Sequence, residues 1–315
     1  MNILLDNEMK WLAGAVIVFL ALSSITAFIL KKTLKSDEGL ALTANLTSRI
    51  RAWWLMVAIF FAALLTRGVG TIILFAVTSF LAFREYVTIT PTHRRDHRAL
   101  FWAFFVILPV QYYFLYIHWY GMFSIFIPVY AFIFIPIRLV LSGSYERFLE
   151  RTAAIQWGLM VCVYFVSHVP ALLMLDIKGY ENRNASLLFF LVLVVEIGDV
   201  FQYVWGKLCG KRPIAPSISP NKTVAGFVGG VLTASLVGAA LWKVTPFTPL
   251  QALAVSLLIT VLGFFGGLTM SAIKRDRGVK DYGTALGGHG GVMDRIDSLC
   301  FAAPVFFHVV RYFFT

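Results

Sequence analysis

Ten stretches of this chain are apolar for long enough to cross a lipid bilayer, and no other feature constrains its fold as tightly. A helix rises about 1.5 Å per residue, so about 20 apolar residues match a hydrocarbon core about 30 Å thick. The stretches lie near 11–30, 52–66, 68–83, 99–117, 121–137, 152–177, 185–205, 223–242, 250–270 and 298–314. In lipid each backbone amide needs a partner within the chain, which a helix supplies by itself. The sequence therefore predicts an all-α, polytopic integral membrane protein with about ten transmembrane helices. Composition agrees. The chain is 59% hydrophobic and 14% charged, against about 25% charged in soluble domains, which excludes intrinsic disorder and argues against a soluble two-domain enzyme.

The first stretch is expected to be a retained helix and not a cleaved signal. Its leader sets Asp6 and Glu8 against Lys10, and no small-residue cleavage site precedes Lys31 and Lys32. Charge placement then orients the chain. With the amino terminus outside, the inner segments are 31–51, 84–98, 138–151, 206–222 and 271–297, and they carry 21 of the 27 Lys and Arg residues. Cations are retained on the cytoplasmic side during insertion, so the net charge of +11 reads as a topology signal in an inner membrane and not as nucleic-acid binding. A basic inner surface also attracts anionic membrane lipids. Cys162, Cys209 and Cys300 lie far apart without a CxxC, so neither a disulfide framework nor a zinc site is implied.

The two halves differ in polarity. Residues 1–150 read as transmembrane helices joined by basic connectors, and 151–315 as a transmembrane region that carries the chemistry. In the first half, His93 and His97 sit four apart, but between cations that repel a metal, so a solvated basic loop is expected there. His118, His168 and His308 are expected to be packed polar groups. In the second half, Glu196 and Asp199 fall three apart within an apolar stretch, where an ionisable group usually faces a cavity and has a function.

Two polar segments there are suited to an anionic ligand. The first, Gly206 to Thr223, combines Lys207, Lys211 and Lys222 with the hydroxyls of Ser217, Ser219 and Thr223, and it leads directly into an apolar stretch. Lysines, hydroxyls and amides at a helix amino terminus are what phosphate binding requires, although the GxxxxGK[ST] spacing is absent. The second, Ser271 to Asp297, holds four carboxylates and five Lys or Arg residues among glycines. Phosphoryl and nucleotidyl transfer need this mixture. Carboxylates hold a hard divalent cation, and cations neutralise a leaving pyrophosphate.

This second segment resembles the signature of the phosphatidate cytidylyltransferase (CDP-diacylglycerol synthase) family, S-x-x-K-R-x-x-x-x-K-D followed by H-G-G-x-x-D-R-x-D. The matching residues are Ser271, Lys274, Arg275, Lys280, Asp281, His289, Gly290, Gly291, Asp294, Arg295 and Asp297. Upstream, Asp199, Tyr203 and Gly206 to Lys211 resemble the family's acidic–aromatic–GKxxGK run, and Ser219 to Thr223 its S-P-x-K-T. Two positions depart: Ala225 and Gly267 stand where many members have acidic residues, the latter within a G-D-L that is taken to help bind metal.

The resemblance implies transfer of a cytidylyl group from CTP to phosphatidic acid, giving CDP-diacylglycerol and pyrophosphate, in a homodimer. It implies Mg²⁺ held by Asp281 and Asp294, with Asp199 or Asp297 as supplements and room for a second, monovalent or divalent, cation. Lys274, Arg275 and Arg295 would stabilise the developing pyrophosphate charge, with Lys280 beside them and His289 positional. Lys207, Lys211, Ser219, Lys222 and Thr223 would bind phosphate. Three other readings stand beside it: a CTP-dependent polyprenol-type lipid kinase, a specialised or inactive paralogue, and a transporter. The transporter leaves the charges of 271–297 without a purpose.

Overall fold

The computed structural model describes residues 7–33, 37–66, 68–143, 145–181, 183–284 and 290–315. Ten helices follow in order: α1 Asn7–Thr33, α2 Asp37–Leu65, α3 Val69–Ile89, α4 Arg94–Tyr116, α5 Tyr120–Val140, α6 Phe148–Met174, α7 Asn184–Cys209, α8 Val224–Ala240, α9 Pro249–Asp276 and α10 Met293–Phe314. Among the described residues nine helices are long and apolar enough to cross a membrane, and α8, at 17 residues, is shorter. The all-α polytopic architecture is as the apolar runs require.

Helix ends differ from the apolar runs for a physical reason. Hydrocarbon thickness limits the apolar stretch, but a helix continues into water wherever its polar residues can still pair their amides. So α2 starts at Asp37 rather than near 52, and α10 at Met293 rather than near 298. As a consequence Ser271 to Asp297 is not one loop. Lys274 and Arg275 ride on the last turns of α9, while Asp294, Arg295 and Asp297 ride on the first turns of α10. Gly206 to Thr223 is not plain loop either. Its central part folds into an antiparallel hairpin, β1 Pro213–Ala215 with β2 Ser219–Thr223, pairing Pro213 with Thr223 and Ala215 with Ser219.

Local chemistry starts two helices. Thr223 takes an extended conformation and its Oγ1 accepts from Gly226 N at 3.1 Å, capping α8. Thr248 and Gln251 form a reciprocal capping box ahead of Pro249 at the start of α9. Helices α4, α5 and α6 each contain a π-helical segment, at Ala103–Ile107, Phe126–Ala131 and Leu159–Phe165. All three helices carry prolines, which lack the donor that an α-helical ladder needs.

α7, α8, α9 and α10 pack on one another, and α10 also contacts α3 and α6. Around α10 the core is aromatic: Phe306 and Phe307 are fully buried, beside Phe123, Phe190 and Phe247. On the perimeter, Phe19, Leu22, Ile25 and Phe28 of α1 and Leu55 and Ile59 of α2 are exposed. At about 1.5–3 kcal/mol per large apolar side chain left in water, such faces are stable only against lipid. The chain is an integral membrane protein.

The basic segment at the start of α4 is pinned and not simply solvated. His93, Arg94, Arg95 and His97 are exposed, but Asp96 is fully buried in a bidentate pair with Arg151 of α6 and accepts from His93 N at 2.8 Å. His168 is packed as expected, its Nδ1 2.8 Å from Tyr164 O and its ring against Phe123 and His308. His118 and His308 are exposed, His118 in a turn at φ 57° and His308 beside the His168 ring.

Candidate functional site

At one end of the bundle, the last turns of α9, the first turns of α10, the end of β2 and the middle of α7 bring their charged residues together. The centre is an ion pair. Lys274 Nζ lies 2.7 Å from Asp294 Oδ1, with both side chains almost wholly buried. The other carboxylate oxygen, Asp294 Oδ2, accepts from Tyr282 N at 2.8 Å and Gly291 N at 2.9 Å. Tyr282 closes the floor, its hydroxyl donating to Met270 O at 3.0 Å and its ring lying 5.4 Å from Lys274 Nζ. Burial, aided by Cys162 and Tyr86, pushes its phenol well above the usual range, so it acts as a neutral donor.

Asp281 joins Asp294 across Gly290. The backbone of Gly290 is at φ 78°, a region that side chains disfavour. A β-carbon there would begin 2.8 Å from Asp294 Oδ2 and 3.4 Å from Asp281 Oδ1, so both carboxylates close over a position that glycine leaves open. Asp281 is exposed, while Asp294 keeps an unshared lone pair on Oδ1. Among the described residues no cluster of three or more His, Cys, Asp or Glu could by itself hold a metal ion. Asp281 and Asp294 are the two carboxylates here that could contribute to holding a hard divalent cation, which takes one or two carboxylates together with substrate phosphates.

A second group lies deeper. Lys222 Nζ sits 3.5 Å from Phe264 O and 5.0 Å from the centre of the Phe264 ring. Around the open α-carbon of Gly267, Lys222 Nζ, Ser298 Oγ and Asp297 Oδ2 converge, at 2.8, 3.2 and 3.7 Å from where a β-carbon would begin. Asp199 faces this group from α7, near Asp297, Ser298, Lys222 and Arg295, and Glu196 stands behind it near Asp199 and Arg295. Burial lowers the pKa of the Lys222 ammonium, and Asp297 and Asp199 oppose that shift. The two buried carboxylates thus have cationic partners of the chain's own.

Of the residues singled out in the sequence, Asp199, Lys222, Lys274, Asp281, Asp294, Arg295 and Asp297 meet here. Others do not. Arg275 is exposed and donates to Ile218 O at 3.2 Å and Val279 O at 3.0 Å, bracing the hairpin against the end of α9. Lys207, Lys211 and Lys280 are exposed, Lys207 reaching back over Tyr203. Ser219 sits at the head of β2 opposite Ala215, and the Thr223 hydroxyl is engaged as the cap of α8. His289 lies outside the described residues.

One residue of this end of the bundle escaped the sequence. Glu85 of α3 accepts from Val292 N and Met293 N at 3.0 and 2.9 Å, so a carboxylate from the first half of the chain covers the start of α10. In the sequence it is one acidic residue beside Arg84 in the basic inner segment 84–98, with nothing to set it apart.

Comparison with known proteins bears on the same residues. A family model described as the cytidylyltransferase family matches residues 47–313. An uncharacterised Escherichia coli protein, YnbB, is 43% identical over 271 residues, covering 85% of this chain and 88% of that protein. Phosphatidate cytidylyltransferases match less of the chain. The Aquifex aeolicus protein is 38% identical over 146 residues, 46% of this chain and 55% of its own length. The Bacillus subtilis protein is 37% identical over 142 residues, 44% and 52% respectively. The match to these enzymes thus spans about half of their length.

Proposed function

This chain belongs to the cytidylyltransferase family, and on that premise we propose that it transfers a cytidylyl group from CTP to a membrane lipid phosphate, phosphatidic acid being the first candidate. The observation that carries the reading is the juxtaposition of Lys222 and Lys274 with Asp294 and Asp297 at the end of membrane-spanning helices. A lipid held among the helices and a nucleotide from water can both reach that point.

In the reaction, an oxygen of the lipid phosphate attacks the α-phosphorus of CTP. A new P–O bond forms, the bond from the α-phosphorus to the bridging oxygen breaks, and pyrophosphate leaves with that electron pair. The nucleophile is already an anion at neutral pH, so the barrier is mostly charge repulsion and general-base help is secondary. Fixed cations aimed at the phosphates lower it. Lys274 is held beside the carboxylate pair, where it faces β- and γ-phosphate oxygens. Lys222 and Arg295 stand on the deeper side, where they attract the lipid phosphate. Asp281 and Asp294 would hold Mg²⁺, which when bound would supply further neutralisation of phosphate charge. Arg275 holds the hairpin, and with it Lys222, in place. The charge bias of the connectors supports a cytoplasmic position for this end, with CTP, and family analogy supports a homodimer in an inner membrane.

A specialised acceptor is a second reading, favoured by one observation. Lys222 Nζ occupies the space a side chain on Gly267 would take, where the family resemblance leads one to expect an acidic residue. Incubating purified protein with CTP, Mg²⁺ and a panel of lipid phosphates and lipid alcohols, with products identified by mass, tests both. A CDP-lipid from phosphatidic acid supports the first, and a CDP-lipid only from another lipid phosphate the second. A phosphorylated alcohol rejects both.

A further inference from the structure

Glu85 belongs to the half of the chain that the signature does not reach, yet its carboxylate ends at the site. α10 has no side-chain cap of its own, because Val292 precedes it in helical conformation and offers no oxygen. A helix leaves its first amides without intrahelical partners and carries partial positive charge there, so a carboxylate at that point is stabilising. Glu85 takes the amides of Val292 and Met293, and Asp294 takes that of Gly291. The two carboxylates thereby divide the successive amides of one turn. The seat is closely fitted: a β-carbon on Gly283 would begin 2.7 Å from Oε1, and one on Gly291 would collide with Oε2. A local Ser, Thr or Asp could have capped α10; instead the cap comes from Glu85, near the end of α3 beside the exposed Arg84.

We propose that Glu85 is a positioning residue of the site: through the amides of Val292 and Met293 it fixes the turn that presents Asp294, and so sets cation binding at Asp281 and Asp294. The inference rests on the reading of those two carboxylates as the Mg²⁺ ligands. It makes α3 part of the machinery and gives the second glycine of His289-Gly290-Gly291 a reason, since only a residue without a side chain fits against the Glu85 carboxylate.

The test uses full-length protein in detergent and Mn²⁺ as the probe, with binding read by electron paramagnetic resonance and thermal unfolding recorded alongside. Glu85→Gln keeps one acceptor and turns the other into a donor facing an amide, Gly291→Ala crowds the same carboxylate from the other side, and Glu85→Asp keeps the charge. Glu85→Gln and Gly291→Ala should each weaken Mn²⁺ binding by at least about tenfold, the scale on which outer-shell partners tune a metal site. Glu85→Asp should recover much of that loss. A fall in unfolding temperature with unchanged Mn²⁺ affinity in the folded variants makes Glu85 a helix cap alone and overturns the proposal, as does a wild type that binds no Mn²⁺. Binding is read without turnover, so a wild type that binds Mn²⁺ but transfers no cytidylyl group defeats the reaction and leaves the Glu85 test intact.

Discussion

Lys222 Nζ stands 2.8 Å from the point where a β-carbon would begin on Gly267, with Asp297 Oδ2 and Ser298 Oγ around the same point. The ammonium fills space that a side chain would otherwise claim, and it partners the carboxylates of Asp297 and Asp199. Gly267→Asp should therefore fold, because the end of a lysine moves easily, and should add a carboxylate to a pocket whose charges are now matched. The expected outcome is a rise in bound Mn²⁺ from one to two per chain in a paramagnetic-resonance titration. An unchanged stoichiometry would show that Lys222 is not standing in for a cation there.

Asp281 and Asp294 should separate in stability although both are needed for activity. Asp294 pairs with the buried Lys274 and accepts two amides, so Asp294→Asn leaves an ammonium without its counter-charge. Breaking a buried pair from one side costs about 3–5 kcal/mol, and the slight exposure of Lys274 places the loss at the lower end. Asp281 is exposed, and an exposed change usually stays within about 0.5 kcal/mol. Thermal unfolding in detergent should thus drop for Asp294→Asn and hold for Asp281→Asn, while both lose CTP turnover. Full activity in Asp281→Asn removes it from the cation site.

Lys274 and Arg275 are neighbours with different work. Lys274 points into the site, whereas Arg275 donates to Ile218 O and Val279 O. Lys274→Ala should lower kcat/KM by at least about 100-fold, the scale of losing one preorganised charge at a phosphoryl centre. Arg275→Ala, which forfeits two hydrogen bonds of about 1 kcal/mol each, should cost less than about tenfold and show mainly as lower stability. Equal losses in the two variants would return Arg275 to the phosphates.

Lys222 gives the account a pH signature. Burial lowers its pKa, so its positive charge is lost at a lower pH than in an ordinary lysine. Between the lowered value and the ordinary one, the unfolded chain holds a proton that the folded chain has released, so this group's contribution to stability rises with pH across that window. Activity moves the opposite way, since the ammonium is the working form. The alkaline limb of the rate profile should shift upward in Lys222→Arg, whose guanidinium does not titrate there. Identical limbs in the two proteins would assign the titration elsewhere.

The apolar runs made the helices legible because hydrocarbon thickness sets a length that few other causes mimic. Helix ends were less legible, since Lys274 and Asp294 are as polar on a helix as they would be in a loop. Among the site residues, those that meet are Lys274, Asp281, Asp294, Arg295 and Asp297 of the signature together with Asp199 and Lys222, while Arg275 and Lys280 of the same signature stay outside. At two positions the side chain has structural contacts that residue type does not announce. Thr223 is where a phosphate ligand would be, yet its hydroxyl caps α8, and Arg275 has a phosphate-binding group spent on two carbonyls. Glu85 could not be read at all, because its partners are backbone amides 207 and 208 residues further on and amides carry no sequence signature.

Cytidylyl transfer to a lipid phosphate can be followed with CTP labelled at its α- or γ-phosphate. Purified protein with Mg²⁺ and phosphatidic acid should pass label from the α-phosphate of CTP into the lipid fraction and release γ-label as pyrophosphate. Label from the γ-phosphate in the lipid fraction, with CDP as the other product, would make the protein a lipid kinase and contradict the account.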